Sequence, residues 1–172
     1  MRRVSVVGAL IATLTATAQL SGQVQIRDRY QLGLAGSGFL VSGGSNLNAT
    51  ASLTKFLGSA LEFGGDLSLG VTSSQSGGTE VSGFAFGRIR YNFVGQSLTV
   101  PFLSFGAGTQ LDSPSTGSRL ALFQAGVGVK QFLNERASFN VEALGYGALQ
   151  GGQFEIAHGV FVQFGLSYYF GR

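Results

Sequence analysis

The chain has 172 residues, of which 44% are hydrophobic and only 11% charged, with a formal net charge of +3. That hydrophobicity excludes a disordered chain, and the charge content falls well below the roughly 25% of an ordinary soluble domain. There is no cysteine, which excludes a disulfide framework, a thiolate metal site and a cysteine-linked lipid. So few charges leave little with which to solubilise a surface, so the chain points to a non-aqueous environment or a large partner. A nucleic-acid footprint needs a clustered basic face, and none is visible.

Residues 1–18, MRRVSVVGALIATLTATA, begin with Arg2 and Arg3, continue as an apolar stretch from Val4 to Leu14, and end in Ala16-Thr17-Ala18. Basic start, short apolar core and small-x-small site are the three parts of a secretory signal peptide. The apolar core is shorter than the about 20 residues that a membrane-spanning helix needs. A cleaved leader over 1–18 and one β-barrel domain over 19–172 are expected. Without Arg2 and Arg3 the balance is nine basic against eight acidic residues, or +1.

From Tyr30 onward the dominant period is two. In residues 60–71, ALEFGGDLSLGV, the set Leu61, Phe63, Gly65, Leu67, Leu69 and Val71 alternates with Glu62, Gly64, Asp66, Ser68 and Gly70. A strand puts these two sets on opposite faces, whereas a helix scatters them. The same separation predicts eight strands, near 29–41, 47–55, 60–72, 80–93, 99–111, 119–131, 137–148 and 158–170. The alternation is least tidy over 80–105, where Phe84, Phe86 and Phe102 fall on the polar phase. The connectors are short and rich in turn residues: 42–46, 56–59, 73–79, 94–97, 112–118, 133–136 and 149–155. Phe56, Phe93, Phe132 and Phe170 close the even-numbered strands at intervals of 37, 39 and 38 residues, the pitch of one hairpin. Their parity is mixed: Phe56 and Phe132 lie on the polar phase, Phe93 and Phe170 on the apolar phase.

Eight meandering strands suit a sandwich, a soluble lipocalin-like barrel or a membrane barrel. In the first two the polar phase meets water and carries many ions. Here it is mostly Gly, Ser, Thr, Asn and Gln, which suits a narrow packed interior, and the apolar phase then faces lipid. A bilayer tolerates no open sheet edge, so the sheet must close. The expectation is an all-β, eight-stranded antiparallel up-and-down transmembrane β-barrel. Tyr30, Tyr91, Phe93, Tyr168 and Phe170, with the other strand-end phenylalanines, are expected to form an interfacial aromatic girdle.

The leader together with GRIRYNF (87–93), TVPFLSFGAG (99–108), GVGVKQF (126–132) and the terminal strand resembles the small outer-membrane β-barrel family, the OmpA/OmpX-type eight-stranded barrels of Gram-negative bacteria. The resemblance covers 29–170 and speaks for architecture far more than for activity. It implies an outer-membrane location, contact with outer-membrane lipid and lipopolysaccharide, insertion by the barrel assembly machinery, and a monomer. The last strand also resembles the family's C-terminal assembly signal, with Gln163, Gly165, Tyr168 and Phe170 in its defining places. Family members end at the aromatic residue, whereas Gly171 and Arg172 follow here. No peptidoglycan-binding domain is expected after the barrel.

The polar phase carries Glu62, Asp66, Arg88, Arg90, Lys130 and Glu142. On the lipid face an Arg or Lys at mid-membrane costs about 2–4 kcal/mol; turned inward, these groups can pair. If Val71 faces Val81, Glu62 lies opposite Arg90 and Asp66 is diagonal to Arg88, a favourable cross-strand arrangement. The six are expected to form an interior ion-pair network that plugs the lumen, with a narrow channel as the alternative. His158 is the sole histidine, in EIAHGVF. The residue two places later is Val160 rather than the Ser of outer-membrane lipid A deacylases, so a lipid-modifying enzyme is the least favoured reading and no catalytic residue is assigned. The glycine-rich pieces 106–109 and 125–130 lack the strand-to-helix context of a phosphate loop, and no cofactor or metal is expected. The loops 42–46, 73–79, 112–118 and 149–155, placed outward, hold only Asp112, Glu155 and the single aromatic Phe154, a poor surface for tight binding.

Overall fold

A computed structural model describes residues 27–41, 44–74, 78–95, 97–111, 121–150, 153–156 and 160–171. The expected leader, His158 and the connector 112–118 lie outside them. The described strands are β1 (Tyr30–Val41), β2 (Gly44–Leu57), β3 (Leu61–Ser74), β4 (Gly78–Asn92), β5 (Thr99–Gln110), β6 (Ala121–Asn134), β7 (Ala137–Gln150), β8 (Gln153–Ile156) and β9 (Phe161–Phe170). Each strand from β1 to β7 pairs antiparallel with the next, and β9 lies between β7 and β1, closing the sheet. The short β8 pairs with β7 beyond the end of β9, so the two share one position in the wall. The result is a closed, eight-stranded, up-and-down barrel.

Two features depart from the sequence-based expectation. Several hairpins are tighter: β2 begins at Gly44, and β3 and β4 reach Ser74 and Gly78. The segment 149–155, expected as a loop, is largely strand, and Phe154 lies on the wall with its ring 6.1 Å from that of Phe123. The eighth wall position also carries an irregularity in register. Gly147 pairs with Ile156 while Leu144 pairs with Phe161, so five steps on one side lie opposite three on the other. The offset of two is even, so odd-numbered residues face the lumen in both β8 and β9.

The barrel is inside out relative to a soluble one. Lipid-facing Leu34, Leu67 and Phe105 are 64%, 61% and 63% exposed, while Glu62, Arg90 and Lys130 are 0%, 4% and 0% exposed. A folded protein in water buries the first kind of residue and exposes the second. A membrane barrel does the reverse, since lipid solvates the outer face and the charges find partners only across the lumen.

The mixed parity of the strand-end phenylalanines has a structural meaning. Phe93 and Phe170 point to lipid, but Phe56 and Phe132 turn inward, which corrects their expected place in the girdle. With Val100 and Tyr169 they form a buried cluster, backed by Leu98, that floors the lumen at the end where both termini lie. Phe86 and Phe102 also turn inward, at 7% and 0% exposure.

Candidate functional site: the charged interior

The β3–β4 ladder pairs Val71 with Val81 and Glu62 with Arg90, with Arg88 opposite Gly64 and thus diagonal to Asp66. Arg90 Nη1 lies 3.2 Å from Glu62 Oε2, and its Nη2 lies 3.1 Å from Glu142 Oε2 on the far wall. Arg88 reaches Asp66 at 3.1 Å and Glu142 at 3.6 Å. Lys130 Nζ contacts Glu62 Oε1 directly. Three carboxylates therefore face three cations, and the group is neutral.

Uncharged partners extend the network around the whole wall. Thr54 Oγ1 donates to Glu62 at 3.3 Å, and Asn92 Nδ2 donates to Glu62 at 2.8 Å. Ser104 donates to Glu142. Lys130 Nζ donates to Gln31 Oε1 at 3.1 Å, and Gln31 Nε2 donates to Ser167 Oγ at 2.9 Å. Gln31, Thr54, Glu62, Arg90, Ser104, Lys130, Glu142 and Ser167 stand on β1, β2, β3, β4, β5, β6, β7 and β9 in turn. Every wall position is tied into one connected set. Hydrogen bonds to charged groups contribute more than neutral ones, and here they also fix the strands against one another.

Aromatic faces complete the cations' surroundings. Arg90 Cζ sits 4.2 Å from the centroid of Phe102, and Lys130 Nζ sits 4.9 Å from that of Phe56. A cation over a ring face is attracted by the ring quadrupole, more strongly when desolvated. Room for this comes from β6: a Cβ on Gly126 would lie 2.7 Å from Ser104 Oγ and 2.9 Å from Glu142 Oε1. Thr54, a polar-phase residue of β2, was accessible to sequence reasoning; Phe102 lay on the polar phase, but its aromatic character gave no hint of a role beside Arg90.

The ion pairs are sandwiched. Toward the termini end lies the Phe56–Val100–Phe132–Tyr169 floor. Toward the other end lie buried Leu144 and a chain of rings, with Phe86 6.3 Å from Tyr146 and Tyr146 5.4 Å from Phe161. Between them, a cavity against Arg88, Arg90 and Glu142 has a volume of about 30 Å³, room for a water or two. A much larger groove, about 1000 Å³, lies on the lipid side, where Gly87, Ala107, Ala125 and Gly145 lower the wall between Phe105 and Phe123.

The remaining candidate residues sit at the termini end and in β9. Tyr30 stacks on Phe170 at 5.7 Å, Phe170 on Tyr168 at 6.5 Å, and Tyr91 meets Phe93 edge-on at 5.2 Å. These form two lipid-facing aromatic groups on opposite parts of the rim. In β9, Gln163 and Gly165 face inward while Tyr168 and Phe170 face lipid. No group of three His, Cys, Asp or Glu suited to a metal occurs among the described residues.

Closed antiparallel order, an apolar exterior and a neutral, paired interior define an eight-stranded β-barrel of the transmembrane kind. The chain is similar to the N-terminal β-barrel domain of OprF from Pseudomonas aeruginosa, with a TM-score of 0.53 at 17% identity over 84% of this chain and 98% of that one. It is also similar to a de novo designed transmembrane β-barrel (TM-score 0.48, 13% identity, covering 85% and 98%). A second designed barrel, TMB2.3, gives a TM-score of 0.45 at 16% identity, covering 84% and 96%. At these identities the likeness is one of fold. No protein-family model and no curated protein matches the sequence.

Proposed function

We propose that the chain is an integral outer-membrane barrel with a structural role, contributing to envelope integrity or weak surface interaction, and that it conducts no solute. The observation that carries this is the neutral charge network tied to every wall position and closed between two apolar layers. An eight-stranded barrel is just wide enough for side chains to fill, and these side chains fill it. The barrel sits as a monomer among outer-membrane lipid and lipopolysaccharide. Gln163, Gly165, Tyr168 and Phe170 act as its C-terminal assembly signal, read by the barrel assembly machinery. It carries no catalytic centre.

Two measurements test the role. Proteoliposomes holding the refolded chain should swell in small sugars no faster than empty liposomes, and rapid swelling refutes a filled lumen. Cells lacking the protein should become more sensitive to detergent while their lipid A keeps its mass. A changed lipid A mass would show an enzyme instead.

A further inference from the structure

Outside the lumen, the described charged side chains divide by end. Arg27, Arg29, Lys55 and Arg136 lie at the termini end with Asp28 and Glu135, whereas the opposite end has Glu80 and Glu155 and no cation among the described residues. The carboxylate of Asp28 is already engaged, 3.5 Å from Arg27 and accepting the Gly58 N–H at 3.4 Å. Arg29, Lys55 and Arg136 remain as cations without a carboxylate within 4 Å among the described residues.

The β1–β2 hairpin and the closure of the sheet at β9 draw these three together. Tyr30 pairs with Lys55 on one side and with Phe170 on the other. Arg29 Nη1 donates to the backbone oxygen of Glu135 at 2.7 Å, and the Tyr169 N–H donates to the backbone oxygen of Arg136 at 2.8 Å. The cations thus form an arc over β7, β9, β1 and β2. Directly beside it on the lipid face stand Tyr30, Tyr168 and Phe170, and Lys55 Nζ lies 5.4 Å from the Tyr30 ring centroid. The connector of the other half-rim, 93–98, has no charge.

We propose that this arc binds the phosphate of an anionic phospholipid in the leaflet bordering the termini end. Aromatic side chains at a membrane boundary sit at headgroup depth, so the cations beside them stand where a lipid phosphate lies. With Asp28 and Glu135 set against Arg27, Arg29, Lys55 and Arg136, the described charges at this end still sum to +2, and Glu80 and Glu155 stand at the other end. The rings continue into the lipid-facing band, offering the glycerol and upper acyl chain a surface that a free anion has no use for. Basic side chains near a surface attract anionic lipid by roughly fivefold each. The site does not depend on whether the lumen is filled.

The test uses the full chain, refolded in detergent and offered equimolar phosphatidylglycerol and phosphatidylcholine, with retained lipid counted by native mass spectrometry. Wild type should retain phosphatidylglycerol in several-fold excess. Lys55→Gln with Arg136→Gln should remove most of that excess, and Glu80→Gln with Glu155→Gln at the other end should leave it unchanged. The heat-dependent gel shift of each variant establishes that the barrel has formed. Equal retention of both lipids by wild type, or an unchanged preference in the folded cation variant, overturns the proposal. So does displacement of phosphatidylglycerol by millimolar inorganic phosphate, which would reveal a simple anion site.

Discussion

Replacing Glu62 with Gln changes one oxygen for an amide and almost nothing in volume. Its consequence follows from where the side chain sits. Glu62 is fully buried, 3.2 Å from Arg90, in contact with Lys130, and accepts hydrogen bonds from Asn92 at 2.8 Å and Thr54 at 3.3 Å. Glu62→Gln leaves three cations facing two carboxylates, and Lys130 loses the only carboxylate it touches among the described residues. Breaking a buried ion pair by removing one partner costs about 3–5 kcal/mol. At 1.4 kcal/mol per tenfold, that is roughly a thousandfold in the folding equilibrium. Removing both charges, in Glu62→Gln with Lys130→Met, restores neutrality and leaves no stranded ion, and should recover about 2 kcal/mol or more relative to the sum of the single variants. Urea unfolding in lipid vesicles, followed by the heat-dependent gel shift, measures all four proteins. A loss below about 1 kcal/mol for Glu62→Gln, or strict additivity in the cycle, would refute a network that braces the barrel.

Other consequences can be checked in the same preparation. Leu67→Lys puts a cation on the lipid face near the middle of β3 and should cost about 2–4 kcal/mol; a loss under 0.5 kcal/mol would mean that this face does not meet the bilayer core. Gly126→Val must displace Ser104 or Glu142, and should shift the unfolding midpoint well beyond Gly145→Ala, whose added Cβ meets only the Ala125 backbone oxygen at 3.9 Å. Equal midpoints for the two would remove the argument for close packing against β6. Truncation after Leu166 deletes Ser167, Tyr168, Tyr169 and Phe170, which pair with Gly33, Leu32, Gln31 and Tyr30. It also takes Tyr169 out of the floor. No heat-modifiable barrel should form, and normal assembly of the shortened chain contradicts that.

Period-two alternation made the strands visible because one face of each meets lipid and the other does not. It was cleanest in β3, where Leu67, Leu69 and Val71 alternate with Asp66, Ser68 and Gly70. The β3–β4 register followed from matching Val71 to Val81, since a one-residue slip would send every charge to the wrong face. The inward phenylalanines stood on the polar phase, but the reason for them was not legible. Phe56 and Phe102 serve as faces for Lys130 and Arg90, so an aromatic residue takes a place that composition assigns to a polar one. The strand at Gln153–Ile156 was hidden by its shortness and by Gly151 and Gly152 just before it, which carry the composition of a turn. The outward placement of Tyr91 and Phe93 followed from their strand-end positions, but the basic arc did not. Lys55 meets Arg29 through the β1–β2 hairpin, but Arg136, far away in sequence, joins them only when β9 closes onto β1.

The central claim is a lumen filled by paired charges between two apolar layers. Single-channel recording of the refolded chain in a planar bilayer tests it most directly. A flat current at all voltages tried, with stepwise openings appearing only when Phe56 and Phe132 are both cut to Ala, is the predicted result. Regular unitary steps from the unaltered chain would contradict it.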